Sequence, residues 1–178
     1  MRRGFLNLNE FAESGAFIFI DADIFLHHFL GRSEDCTRFL ERCAAGEIKG
    51  ATGALVLAEV LHKSMILEAK AKKVSGKTGN EGARTVAKLR ETPEAVRKLS
   101  DYHSGASSIM DMGLTVFPLT AKIIRASQWV RSQNGLMAGD SLVVATMRAH
   151  GISALATAGR AFEQVDTIRV YGPADGAR

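Results

Sequence analysis

Short apolar runs alternate along the chain with longer stretches whose apolar residues recur at helical spacing. Residues 17–20, 47–50, 114–117, 153–157 and 168–171 read as five short strands, the first being Phe17-Ile18-Phe19-Ile20. Residues 24–30, 34–45, 55–71, 121–132 and 141–150 read as helices, with Gly31-Arg32-Ser33 dividing the first two. Thr92 as a cap and Pro93 in the first turn open a further helix running to about Met112. The tract 74–82, with three glycines, reads as a flexible loop. Strands that are apolar on both faces and alternate with helices predict a mainly parallel, about five-stranded sheet covered on both sides, a three-layer α/β/α sandwich.

Composition narrows this picture. With 178 residues, 46% of them hydrophobic, the chain can bury one sizeable core and is short for two, so residues 1–178 read as a single domain. No apolar run approaches the ~18 residues of a membrane span, and Met1-Arg-Arg-Gly-Phe-Leu-Asn lacks the apolar centre of a secretory signal; the expectation is a soluble, cytoplasmic protein with no membrane partner. Between Lys63 and Lys98 ten Lys/Arg face four Glu, a local +6 within a net charge of +4. The tract at about 69–100 therefore reads as a basic helical insertion, either a solvated face or a surface for a polyanion. Cys36 and Cys43 lie two helical turns, roughly 10 Å, apart and cannot pair within one helix. The five histidines show no metal-binding spacing and read as packing or surface residues, and Trp129 reads as core or dimer contact.

Three acids stand where an α/β sheet places chemistry, outside the carboxyl ends of its strands. Asp21 follows the first strand directly, with Asp23 two residues on; each also suits a helix cap. Glu59 is the only charge in Ala54-Leu-Val-Leu-Ala-Glu-Val-Leu61, and an ordinary Glu59–Lys63 pair competes with a ligand role. Asp140 opens the helix Gly139-Asp-Ser-Leu-Val-Val-Ala-Thr, where it also complements the helix dipole.

In order and context these segments resemble the PIN-domain ribonucleases, including the VapC-like toxins of toxin–antitoxin systems. Ile18-Phe-Ile-Asp-Ala-Asp is similar to the family's opening strand and first acid, Leu55-Val-Leu-Ala-Glu to the helix bearing the second, and Ala138-Gly-Asp-Ser to the third. Ala154-Leu-Ala-Thr-Ala-Gly is similar to the terminal strand and turn. The resemblance spans about Phe17 to Tyr171. It implies a metal-dependent endoribonuclease with Asp21, Glu59 and Asp140 as catalytic metal ligands for Mg²⁺ or Mn²⁺, and Asp23 and Thr157 in support. It also implies RNA as substrate, an antitoxin protein as partner and a homodimer. Hard divalent cations take oxygen ligands and lower the pKa of bound water, which agrees with the residue types.

The chain departs from the family at one motif. Gly159 and Ala161 stand where the family carries acids, leaving the fourth acidic position vacant. A PIN domain that has lost catalysis and keeps RNA or protein binding is the alternative this implies, and a toxin or an RNA-processing nuclease are both open roles for the active form. Phe19-Ile-Asp-Ala-Asp also resembles the nucleophile motif of haloacid-dehalogenase-type phosphatases, but Ile24-Phe25 replace the small residues that follow there, and Val144 replaces a later acid. Gly76-Lys-Thr lacks the glycine five positions earlier that a phosphate-binding loop requires.

Overall fold

The computed structural model describes residues 5–13, 15–74 and 81–175. Its strands are β1 (Leu6–Asn7), β2 (Phe17–Ile20), β3 (Lys49–Gly53), β4 (Thr115–Phe117), β5 (Ala154–Ala156) and β6 (Arg169–Gly172). They form one six-stranded sheet in the order β1-β6-β5-β2-β3-β4, with every pairing parallel. The helices are α1 (Ala22–Phe29), α2 (Glu34–Ala44), α3 (Ala54–Ala71), α4 (Glu81–Glu91), α5 (Pro93–Arg97), α6 (Tyr102–Asp111), α7 (Ala121–Asn134) and α8 (Ala138–Ala149). They cover the sheet to make the three-layer α/β architecture that the alternation predicts.

The central strands carry no polar side chain because both their faces are covered. Ile18, Phe19 and Ile20 of β2 and all of β5 are buried, and they meet Ile24 and Phe25 of α1, Val56 and Val60 of α3, and Val143, Val144 and Met147 of α8 in one continuous core. Local chemistry sets the helix ends. Ser33 Oγ accepts the Cys36 N–H at 3.1 Å to start α2, Thr120 does the same for Ile123 in α7, and Gly135, at a φ of +64°, closes α7 in the left-handed conformation. Cys36 and Cys43 are free and buried in α2, and burial pushes their thiols up to about 11 and about 12.

The sheet gains a sixth strand, β1, whose two residues are too few to show a period. β3 lies at 49–53 rather than 47–50, since its buried core is the small-residue run Gly50-Ala51-Thr52, which carries no apolar signature. A Cβ on Gly50 would stand 2.5 Å from Leu114 Cδ2, so a larger residue there would require the Leu114 side chain to shift.

The segment after α3 differs most. Residues 75–80 of the expected loop lie outside the described residues, and helix α4 begins at Glu81. The single helix expected over 92–112 is broken into α5 and α6 by a carboxylate from another element. Glu68 on α3 accepts the backbone N–H groups of Ser100, Asp101 and Tyr102 at 2.8–3.0 Å and so caps α6 from outside. Burial acts to raise the Glu68 pKa, but the Lys72 ammonium and these three N–H groups outweigh it and hold the carboxyl at about 2. Ala69, Leu89 and Leu99 bury together beside it, tying α4 and the α5–α6 break to α3 through a small apolar cluster.

Replacing Glu68 by alanine strands those N–H groups and should destabilise the protein by ~1–3 kcal/mol in denaturant unfolding. Because the folded pKa lies below the ordinary value of 4.5, this contribution is present above pH 4.5 and lost as pH falls towards 2. Acid titration of unfolding should therefore show a steeper decline over that window in the wild type than in Glu68→Ala.

Candidate active site at the switch point of the sheet

From β2 the chain moves outward to β3 and β4, then crosses back to place β5 on the other side of β2. The pair β2–β5 is thus the topological switch point, where the connections diverge and leave a crevice beyond the strand ends. Asp21 stands at the end of β2, its N–H bonded to Ala156 O at 3.0 Å, and Thr157 stands at the end of β5, its N–H bonded to Tyr171 O at 2.9 Å. The ladder therefore fixes both residues by their backbones.

Side chains close the gap between them. Thr157 Oγ1 lies 2.9 Å from Asp21 Oδ2 and 3.1 Å from Asp23 Oδ2. Asp21 Oδ1 accepts the Ala22 N–H at 2.8 Å, which makes Asp21 the N-cap of α1. Asp23 does not take that cap; its Oδ2 accepts the Ala158 N–H at 2.9 Å instead, pinning α1 to the end of β5. Gly159 follows in extended backbone with a φ of −82°, and its N–H donates to Thr157 Oγ1 at 3.0 Å.

Glu59 and Asp140 approach from α3 and from the first turn of α8. Glu59 makes the expected ion pair with Lys63, at 2.6 Å. Their fields reach the other acids. Burial raises the Asp21 carboxyl to about 7, the charges of Asp23 and Glu59 add to this, and the Ala22 and Thr157 hydrogen bonds oppose it. Asp23 is likewise raised, by burial first. The Asp140 carboxyl is raised by burial, Glu59 and Asp23 against the lowering effect of Lys63. The structure thus joins Asp21, Asp23 and Thr157 directly, and couples Glu59 and Asp140 to them through space.

Among the described residues, no group of three or more His, Cys, Asp or Glu closes around a metal-sized point. The donor chemistry nonetheless fits a hard divalent cation, because the acids offer only oxygen and Asp23 Oδ1 is buried with no hydrogen-bond partner. A buried carboxylate oxygen in that state is stabilised by a cation.

Sequence reasoning missed two groups here. His27 lies one turn beyond Asp23 on α1, with its Nδ1 buried and unpartnered, and Arg32 lies in the turn after α1. The spacing of four from Asp23 was the one available signal for His27. Trp129 is not part of the core; it is 59% exposed with the Arg148 guanidinium 4.9 Å above its ring.

The PIN domain family model matches residues 18–168, most of the chain. The protein belongs to the PIN domain family. Among solved structures, this PIN domain is similar to VapBC2 from Rickettsia felis bound to a DNA fragment from its promoter, at 15% identity and a TM-score of 0.52, over 88% of this chain and 98% of that one. A toxin–antitoxin complex from Klebsiella pneumoniae aligns at 18% identity and a TM-score of 0.49, over 85% and 94% of the two chains. At such identity the Rickettsia likeness shows the fold. No curated protein matches the chain.

A folded pKa of about 7 for Asp21, against 3.8 ordinarily, means the metal-free protein binds a proton that the unfolded chain releases. That contribution is full below pH 3.8 and is lost as pH rises through 7. Melting in EDTA should therefore show the wild type losing more thermal stability than Asp21→Asn between pH 5 and pH 8.

Proposed function

We propose that this PIN domain is an endoribonuclease that hydrolyses RNA phosphodiester bonds, with Asp21, Glu59 and Asp140 holding Mg²⁺ or Mn²⁺. The observation that carries the reading is the placement of Asp21 and Thr157 on adjacent strands at the switch point, with the buried, unpartnered Asp23 Oδ1 beside them. When bound, the cation supplies a water of lowered pKa and a counter-charge for the phosphate under attack. The chain's own contribution is orientation. The α1 N-terminus and Thr157 set the Asp21 carboxylate, Ala158 N–H and Thr157 set Asp23, and Lys63 keeps Glu59 turned along α3. The basic insertion at about 69–100 belongs to the same reading as a surface for the RNA backbone. An antitoxin-like protein partner and a homodimer are part of it as well; the Rickettsia felis relative is itself a VapBC2 complex.

A second reading keeps the fold and removes the chemistry, making the chain an RNA- or protein-binding PIN domain. The glycine at 159 favours it, since the family's fourth acid is missing there. Metal binding separates the two. Under the nuclease reading, Mn²⁺ at ~100 times its dissociation constant should stabilise the protein by about 2.7 kcal/mol, and Asp21→Asn should abolish both that shift and the cleavage of a mixed RNA pool. An Asp21→Asn protein that still cleaves would remove Asp21 from the site. No Mn²⁺ shift in the wild type at millimolar metal would favour the binding module.

The vacant corner has its own test. A Cβ on Gly159 would meet Thr157 Oγ1 at 3.4 Å and Asp23 Oδ2 at 3.7 Å, ordinary contacts, so a side chain fits there and points among the acids. Gly159→Asp should bind Mn²⁺ more tightly than Gly159→Ala in calorimetry. Equal affinities in the two folded variants would mean that position 159 does not serve the metal.

A further inference from the structure

A pocket of about 300 Å³ opens between α1 and α3 and shares Asp23 with the acidic site. Its floor is apolar, from Leu26, Ile66 and Leu67, and its rim carries His27, Arg32 and Lys63. Arg32 is the rim cation that shares no ion pair among the described residues, since Lys63 already pairs with Glu59, so an anion has one free positive charge to meet here although the pocket adjoins an acidic cluster. The rim alone would suit a free phosphate, and the floor alone a hydrocarbon. The two together match a nucleotide, whose base presents an apolar face and a hydrogen-bonding edge beside a charged phosphate. His27 supports this, because its imidazole lines the pocket and a base edge offers both donors and acceptors to a ring nitrogen. Lys63 links the two regions, since its ammonium pairs with Glu59 while its side chain borders the pocket. The volume sits at the low end of the ~300–1,000 Å³ of ligand pockets, enough for one base and its sugar rather than a helix.

We infer that this pocket is a nucleotide subsite of single-stranded RNA, holding the residue next to the phosphate at the acidic centre. The base lies on Leu26, Ile66 and Leu67, its edge meets His27, and the adjoining phosphate faces Arg32. The inference rests on the RNA reading above and gives that reading a site of sequence or strand preference. A splayed single strand reaches such a pocket, whereas stacked duplex bases do not.

The test is fluorescence anisotropy of the full chain with a short fluorescein-labelled single-stranded RNA of mixed sequence, in EDTA so that binding is read without cleavage. His27→Ala should weaken binding roughly 2- to 10-fold, the loss of one hydrogen bond. Arg32→Ala should weaken it and flatten the slope of log Kd against log salt by ~0.7, the release of one phosphate contact on a single strand. Ile66→Trp, which fills the floor, should weaken it while leaving the salt slope unchanged. Arg32 is exposed, so its variant decides the matter even where a half-buried substitution loosens the fold. Wild-type affinity and salt slope in Arg32→Ala, with unchanged binding in folded His27→Ala, would overturn the subsite while wild-type binding and cleavage leave the nuclease reading standing. A wild-type protein that neither binds this RNA in EDTA nor cleaves it with Mn²⁺ would overturn both, and one that cleaves with Mn²⁺ without binding in EDTA would overturn the subsite alone.

Discussion

Thr157 has one hydroxyl proton and two carboxylates within reach of it. Its Oγ1 stands 2.9 Å from Asp21 and 3.1 Å from Asp23 and accepts the Gly159 N–H, so it can donate to only one aspartate at a time. The second carboxylate then faces the first as a buried like charge unless it carries a proton or meets a cation. Burial is the first cause of the raised Asp21 and Asp23 carboxyls, and at Asp21 the neighbouring Asp23 charge adds to it, while Asp23 Oδ1 stands without a partner. The parallel sheet enforces this arrangement, because the ends of β2 and β5 are held side by side by backbone hydrogen bonds that neither aspartate can relax.

Glu68 shows the opposite solution with the same chemistry. It too is held in a buried place, but three backbone N–H groups and the Lys72 ammonium converge on it, and its pKa falls to about 2 where that of Asp21 rises to about 7. A carboxylate whose lone pairs are filled is a structural joint, and here it fixes the start of α6 against α3. A carboxylate left partly unfilled at the mouth of a sheet keeps stored repulsion that a ligand can relieve. Number and direction of donors, rather than burial alone, separate the two roles.

The same distinction explains what could be read from the chain. The strands 17–20 and 153–157 and the acids that follow or face them were legible because burial on both faces forces an uninterrupted apolar run, and a charge directly after it has few other places to stand. β3 was placed two residues early because Gly50, Ala51 and Thr52 are buried for their smallness, which hydrophobic periodicity does not register. The break between α5 and α6 was invisible because its cause, Glu68, lies some thirty residues upstream on another helix. Local rules let either aspartate cap α1; Asp21 holds the cap, and Asp23 reaches across to the residue after Thr157. The pocket at His27 and Arg32 exists only once α1 is laid against α3, so no linear pattern carried it.

Gly159 ties these threads together. Its backbone is extended and has room for a side chain, so neither strain nor crowding requires glycine. The space a side chain there would enter is the space beside Asp23 Oδ2, itself fixed by Ala158 N–H and Thr157. A carboxylate at 159 would set another like charge against a pair already lacking one counter-charge, deepening the repulsion in the metal-free state. With glycine, Asp23 alone supplies the negative charge of that corner, its Oδ2 held by Ala158 N–H and sharing the Thr157 hydroxyl with Asp21, its Oδ1 without a partner. The corner of the site is therefore lighter in charge yet retains a carboxylate, and the crowding of negative charge rests on the Asp21–Asp23 pair instead of on the terminal turn.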